Sequence, residues 1–166
     1  NCAVVVGEVG EICARGPCVM LEYNDNPKAT SETIDGMGWL HTGDLGRIDK
    51  RGYVTVTGRV KEMIIRGGEN HFPAEIENCL LEHASVAEVA VVGLPDPKWG
   101  EVIGAFIRST GLLDKGTLHA YCRANMSPQK TPNVWVQVEE FPLTGSGKIQ
   151  KFILRDRFVA GEYAEL

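Results

Sequence analysis

The chain has 166 residues, 43% hydrophobic and 23% charged, with 17 Lys and Arg against 22 Asp and Glu for a formal net charge of -5. This composition supplies apolar mass for one ordinary globular domain or two small ones, and it excludes a chain disordered by composition. The acidic balance argues against a general nucleic-acid binder, because phosphate contacts require a basic face.

Residues up to about Arg59 read as strands and turns. Gly10 to Arg15 alternates loosely, Asn26-Pro27 opens a short helix toward Ile34 with a cap residue followed by proline, and Leu45 to Thr57 reads as a hairpin around Asp49-Lys50-Arg51-Gly52. The chain starts inside apparent strand sequence with few residues to close a sheet, so this half is expected to be the end of a larger domain. Met63, Ile64 and Ile65 form a brief β-type run, Gly67-Gly68 a permissive loop, and Pro73 the first turn of a helix in which Ile76, Leu80 and Leu81 recur at helical spacing. The order predicted there is strand, glycine loop, helix.

Further along, Val86 to Leu94 and Val102 to Arg108 read as buried strands on either side of a proline-punctuated loop ending at Gly100. Thr117 to Asn125 reads as a helix capped by its threonine, with Pro128 and Pro132 closing it. Val134 to Val138 is a third strand, Phe141 to Lys148 a polar glycine-rich loop, and Phe152 to Val159 a helix with Phe152, Leu154 and Phe158 as packing candidates. Strands mixed with helices on short connections predict an α+β fold. No apolar run approaches the roughly 18 residues of a membrane-spanning helix, and the first residues do not form a signal peptide, so the expected location is cytoplasmic. The five cysteines, Cys2, Cys13, Cys18, Cys79 and Cys122, contain no Cys-x-x-Cys pair and read as reduced thiols. His41, His71, His83 and His119 show no metal-ligand spacing, so no metal site is predicted.

Several residues carry a chemical reading beside an ordinary one. Asp44, after Thr42-Gly43, offers two acceptor oxygens suited to the neighbouring hydroxyls of a ribose, but it also suits a turn aspartate bonding its own backbone. Arg59 presents a donor fork or is a solvated strand-end charge. Lys61 lies between two compact segments, as a hinge residue or a surface lysine. Gly67 and Gly68 are a simple turn or a place of close approach to a ligand, with Glu69 and Asn70 beside them. Lys148, in Thr144-Gly-Ser-Gly-Lys-Ile149, exposes an ammonium on a mobile backbone, where its charge would stabilise developing negative charge. It is not a Walker loop, because Pro142 and Ile149 occupy positions that need glycine and Ser or Thr.

With Thr42-Gly43-Asp44 upstream, GRVKEMIIRGGENHFPAEIE at Gly58 to Glu77, and Pro142 to Ile149 downstream, the chain resembles the C-terminal portion of the adenylate-forming (AMP-binding) enzymes, closest to fatty acyl-CoA synthetases. The resemblance covers nearly the whole chain. It implies that residues 1–60 complete the β-rich end of the large AMP-binding domain, and that residues 61–166 form the small mobile C-terminal domain, a short antiparallel sheet flanked by helices. It implies ATP (or AMP) and CoA as ligands, a carboxylic acid as substrate, and Mg2+ held largely by residues outside this sequence. By the same resemblance Asp44 and Arg59 hold the nucleotide ribose, Lys61 is the pivot, Gly67, Gly68 and Glu69 flank the path of the CoA thiol arm, and Lys148 is the adenylation residue. The chain alone is then expected to be inactive and to work with the missing large domain. An adenylation domain that loads a carrier protein and a non-catalytic interaction module remain the alternatives.

Overall fold

The computed structural model describes residues 2–166. It divides into two compact units, the first ending at Lys61 and the second running from Glu62 to Leu166. In the first unit, β1 (Gly10–Ala14), β2 (Leu40–Ile48) and β3 (Val54–Arg59) form an antiparallel sheet in that order. Helix α1 (Pro27–Thr33) precedes β2, and the Asn26 side chain caps it by accepting from the Ala29 N–H at 3.0 Å. The turn between β2 and β3 closes on Asp49, whose Oδ1 accepts from the N–H groups of Arg51 and Tyr53. Among the described residues, Leu45 is the one buried apolar side chain of this unit, while Ile48, Val54 and Val56 stay exposed on its sheet.

The second unit is built on long apolar strands. β4 (Ile64–Arg66) and β5 (Glu69–His71) precede α2 (Pro73–Leu81); β6 (Val86–Asp96) and β7 (Gly100–Ser109) follow, then α3 (Lys115–Asn125), β8 (Val134–Gln137) and α4 (Lys151–Val159). The sheet runs β5-β4-β7-β6, and β8 joins β7 in parallel. The architecture is α+β, antiparallel apart from that one pair. Alternation along β6 explains its near-continuous apolar sequence. Val89 and Val91 pack with Ile76, Leu80, Leu118 and Trp135, whereas Ala90 and Val92 enter a separate cluster with Phe106, Val136 and Leu154. Residues buried on both faces of a sheet need no polar alternation.

Four local readings change. Gly67-Gly68 does not lead directly into a helix. The chain first folds back as β5, pairing Ile64 with His71 and Arg66 with Glu69, because positive φ at both glycines (+59° and +86°) forms a two-residue hairpin turn whose twist suits its flanking strands. The segment from Leu94 to Gly100 is mostly strand; only Pro97 to Trp99 turn, held by Asp96 Oδ1, which accepts from the N–H groups of Lys98 and Trp99. Helix α3 is capped by Asp114, which accepts from both the N–H and the hydroxyl of Thr117 at 2.7 and 2.6 Å. Those bonds hold the Asp114 carboxyl below its ordinary pKa. On α4, Leu154 is buried and Phe158 packs at the edge of the core, but Phe152 is 62% exposed.

Candidate functional site

In the first unit, the Thr42-Gly43-Asp44 bulge of β2 is held from both sides. The Thr42 hydroxyl donates to the Ile12 carbonyl at 2.7 Å and accepts from the Asp44 N–H at 3.0 Å, while the Gly43 N–H, at a φ of +72°, donates to Glu11 Oε1 at 3.0 Å. Asp44 lies directly across from Arg59 in the β2–β3 register, and Arg59 Nε reaches Asp44 Oδ1 at 2.9 Å. The structure therefore brings together two of the sequence-selected residues. Their side chains are 35% and 60% exposed, so the pair contributes little to stability. The second carboxylate oxygen remains open to a donor. Lys61 is exposed in a 3-10 turn, Val60–Glu62, at the boundary of the two units.

In the second unit, the glycine turn is shaped by a residue that sequence reading left in a loop. Trp99 accepts the Gly67 N–H through its carbonyl at 2.9 Å, and its ring lies so close that a Cβ on Gly67 would sit 2.8 Å from Cε3. The Arg66 guanidinium and Lys98 ammonium lie over the same ring, 5.5 and 4.9 Å from its centroid. At Gly68, by contrast, a Cβ would meet nothing within 4 Å. Glu69 is 62% exposed, with Oε2 3.9 Å from Nε2 of His71. His71 is only 3% exposed, and neither ring nitrogen has a hydrogen-bond partner; burial pulls its pKa below the ordinary imidazole value.

Lys148 occupies a separate turn. Its N–H donates to the Thr144 hydroxyl at 3.0 Å and its carbonyl accepts from the Thr144 N–H at 2.8 Å, while Gly147 takes a φ of +80°. An isolated bridge between Leu143 and Ile149 closes this small hairpin. The Lys148 side chain is exposed and, among the described residues, has no carboxylate partner; no hydrogen bond or ion pair joins it to the glycine turn. Three residues later the situation reverses. Lys151 Nζ lies 2.8 Å from Glu62 Oε2 and 2.9 Å from Glu77 Oε1, and Glu77 Oε1 also accepts the Val91 N–H at 2.7 Å. This triad ties α4 to α2, to β6 and to the start of the unit. Lys151 reads in sequence as one more charge on an amphipathic helix, and only its burial at 21% side-chain exposure sets it apart.

Among the described residues, the grouping whose His, Cys and carboxylate donor atoms lie close enough to share an ion is Glu11, Cys13 and His41. A thiol and an imidazole do not suit Mg2+, which takes oxygen ligands, so no step here runs through that ion.

The AMP-binding enzyme C-terminal domain family matches residues 75–148. A CoA ligase of Rhodococcus jostii acting on a methyl-dioxo-octahydroindenyl propanoate is 44% identical over 155 residues, covering 92% of this chain and 30% of that protein. A mitochondrial medium-chain acyl-CoA ligase of Rattus norvegicus is 45% identical over 150 residues, covering 89% of the chain and 24% of that protein. The o-succinylbenzoate CoA synthetase of Bacillus subtilis, solved with its acyl-adenylate intermediate, superposes with a TM-score of 0.84 at 37% identity, over 93% of this chain and 31% of that one. The chain thus spans about a quarter to a third of the length of these relatives.

Proposed function

Because the chain belongs to the adenylate-forming (AMP-binding) enzymes and corresponds to the C-terminal portion of their acyl-CoA synthetases, we propose that it serves in an ATP-dependent acid–CoA ligase. The substrate class is a carboxylic acid of fatty type, in keeping with the medium-chain acyl-CoA ligase among its relatives. In the first half-reaction a carboxylate oxygen attacks the α-phosphorus of ATP and the bond to pyrophosphate breaks. In the second, the CoA sulfur attacks the acyl carbonyl, the bond to AMP breaks, and the thiol proton leaves to solvent.

The observation that carries this reading is the state of Lys148, an exposed ammonium on a hydrogen-bonded turn with, among the described residues, no carboxylate to neutralise it. Such a charge is available to an incoming anion, and its contribution is electrostatic, stabilising negative charge that builds at the α-phosphate. Asp44, with one oxygen on Arg59 and one open, is the acceptor for ribose hydroxyls, and Arg59 is the adjoining donor. The turn at Gly67-Gly68, flanked by Glu69, borders the path of the CoA arm: a side chain on Gly68 would strain the backbone at its φ of +86° but would project into free space, where a ligand would meet it. Lys61 is the pivot about which the segment 61–166 turns between the half-reactions, and residues 1–60 belong to the larger domain. The 166 residues alone are inactive, since the rest of the nucleotide and acid site comes from that larger domain; acyl-CoA formation by this chain alone would contradict this.

The test separates the two half-reactions in the full-length enzyme. Lys148→Ala should lower acyl-AMP formation about 10²–10³-fold while sparing thioester formation from supplied acyl-AMP, and Gly68→Leu should do the reverse. Equal loss of both steps in both variants would refute the assignment. Adenylation that never leads to CoA turnover would point instead to a carrier-protein acceptor.

A further inference from the structure

Beyond the ligase reading, and independently of it, the first unit brings Glu11, Cys13 and His41 together on two strands. Cys13 and His41 are direct partners in the β1–β2 register, and the register shifts between Glu11 and Cys13, where Ile12 alone faces the extra residues Thr42 to Asp44 of β2; the Glu11 carboxylate reaches the same imidazole. Glu11 Oε2 lies 2.7 Å from His41 Nδ1, Cys13 Sγ lies 3.6 Å from that nitrogen, and all three donor atoms fall within 4.8 Å of one another. We propose that these three side chains form a zinc-type site, with one coordination position left to water.

The spacing suits the ion. For tetrahedral zinc with bonds of about 2.3 Å to sulfur and about 2.05 Å to nitrogen, the sulfur–nitrogen edge is about 3.6 Å, the separation found between Cys13 and His41. The carboxylate–imidazole edge would be about 3.3 Å, so Glu11 must retreat by roughly 0.6 Å from its present hydrogen bond as the ion replaces the imidazole proton. Glu11 has room to do so, being 29% exposed, and its other oxygen is held by the Gly43 N–H. A further carboxylate stands behind the ring. Asp35 Oδ2 is 3.7 Å from His41 Nε2, and Asp35 Oδ1 is fixed by the N–H groups of Met37 and Trp39, both at 2.9 Å. Metal-bound histidines commonly direct their second nitrogen at such a group, which sets the tautomer and strengthens the ligand.

The charges point the same way. Two carboxylates, Glu11 and Asp35, and the Cys13 thiol surround one imidazole. A divalent ion supplies the missing positive charge, favours the thiolate and displaces the imidazole proton. Through Glu11, it would also brace the Thr42-Gly43-Asp44 bulge of β2.

Cobalt(II) serves as the probe, because it adopts zinc's tetrahedral geometry and reports a thiolate ligand through a near-ultraviolet charge-transfer band. The reduced, intact protein should bind one equivalent with that band present, and zinc should displace it. Cys13→Ser should abolish the band, Cys18→Ser, at an exposed cysteine outside the cluster, should leave it, and Asp35→Asn should weaken binding about 10–100-fold. Saturating cobalt without a charge-transfer band in the unaltered protein would overturn the proposal, and so would a band that survives Cys13→Ser.

Discussion

Replacing Lys151 with methionine tests whether the half-buried triad with Glu62 and Glu77 holds the second unit together. The substitution keeps the length of the aliphatic stem and removes the charge, leaving Glu77, only 16% exposed, beside Glu62 without a cation. Removing one partner of a fully buried pair costs about 3–5 kcal/mol. Here Lys151 is 21% exposed and Glu62 39%, and Glu77 keeps its Val91 N–H, so the expected loss is about 2 kcal/mol. In urea this moves the unfolding midpoint down by about 1 M. The effect has a pH signature. Burial alone would lower the Lys151 pKa, but the charge of Glu77 and the hydrogen bonds to Glu62 and Glu77 outweigh it and raise it. A raised lysine stabilises the fold fully below its unfolded pKa of about 10.4 and ceases to do so as pH climbs through the folded value. The gap between the parent protein and Lys151→Met should hold through neutral pH and close only in strong alkali. Adding Glu62→Gln and Glu77→Gln should recover at least half of the loss, because no uncompensated buried charge then remains. A loss under about 0.5 kcal/mol, the range of ordinary surface substitutions, or no recovery in the triple variant, would refute the reasoning.

The glycine turn offers a paired comparison. Gly67→Ala and Gly68→Ala both force a side chain into positive φ, at roughly 1–2 kcal/mol each, but only Gly67→Ala also displaces the Trp99 ring and its cation contacts, for about 1 kcal/mol more; equal midpoints in urea would remove Trp99 from the account. His71 is buried with its pKa lowered by desolvation, so the unfolded chain takes up the proton first and stability should fall as pH drops below about 6.5. His71→Leu should flatten that acid slope, measured by unfolding between about pH 5 and 7, and an unchanged slope would assign it to other groups. Asp114→Ala should destabilise α3, and its effect should vanish toward acid pH, because a carboxyl with a lowered pKa stabilises the fold above its unfolded value and stops doing so as pH falls through the folded one; amide exchange along Lys115–Asn125 reads this out.

The parts of this fold that were legible in sequence are those governed by local chemistry. Asn26-Pro27 and Pro73 open their helices where cap and proline rules put them. The buried strands follow from their valine-rich runs. What escaped depends on the partner. Glu69-Asn70-His71 carries no β pattern of its own and becomes a strand because the Gly-Gly turn, a hairpin signal in the sequence, returns it to Ile64. Phe152 is apolar yet exposed, while Lys151 beside it is charged and half-buried, an inversion that only the positions of Glu62 and Glu77 explain. Asp44 and Arg59 are each recognisable from their local sequence, but their pairing follows only from the β2–β3 register. Glu11, Cys13 and His41 have no motif spacing at all; the register of β1 against β2 is what assembles them.

Strand β7 gives one edge entirely to β6 and divides the other, pairing Gly100 with Arg66 of β4 at one end and Gly104 to Ile107 with β8 at the other. The β6–β7 hairpin closes across the short Pro97–Trp99 turn, whereas β8 must return past α3 to lie parallel. Loop-closure entropy then orders assembly, with the hairpin early and β8 late. Local opening under native conditions is expected to differ between the long β6–β7 hairpin and the short β8 pairing. Amides of Val134–Gln137 should exchange before those of β6. The turn bearing Lys148 follows β8 and is closed by its own Leu143–Ile149 bridge, so its shape does not depend on pairing with β7.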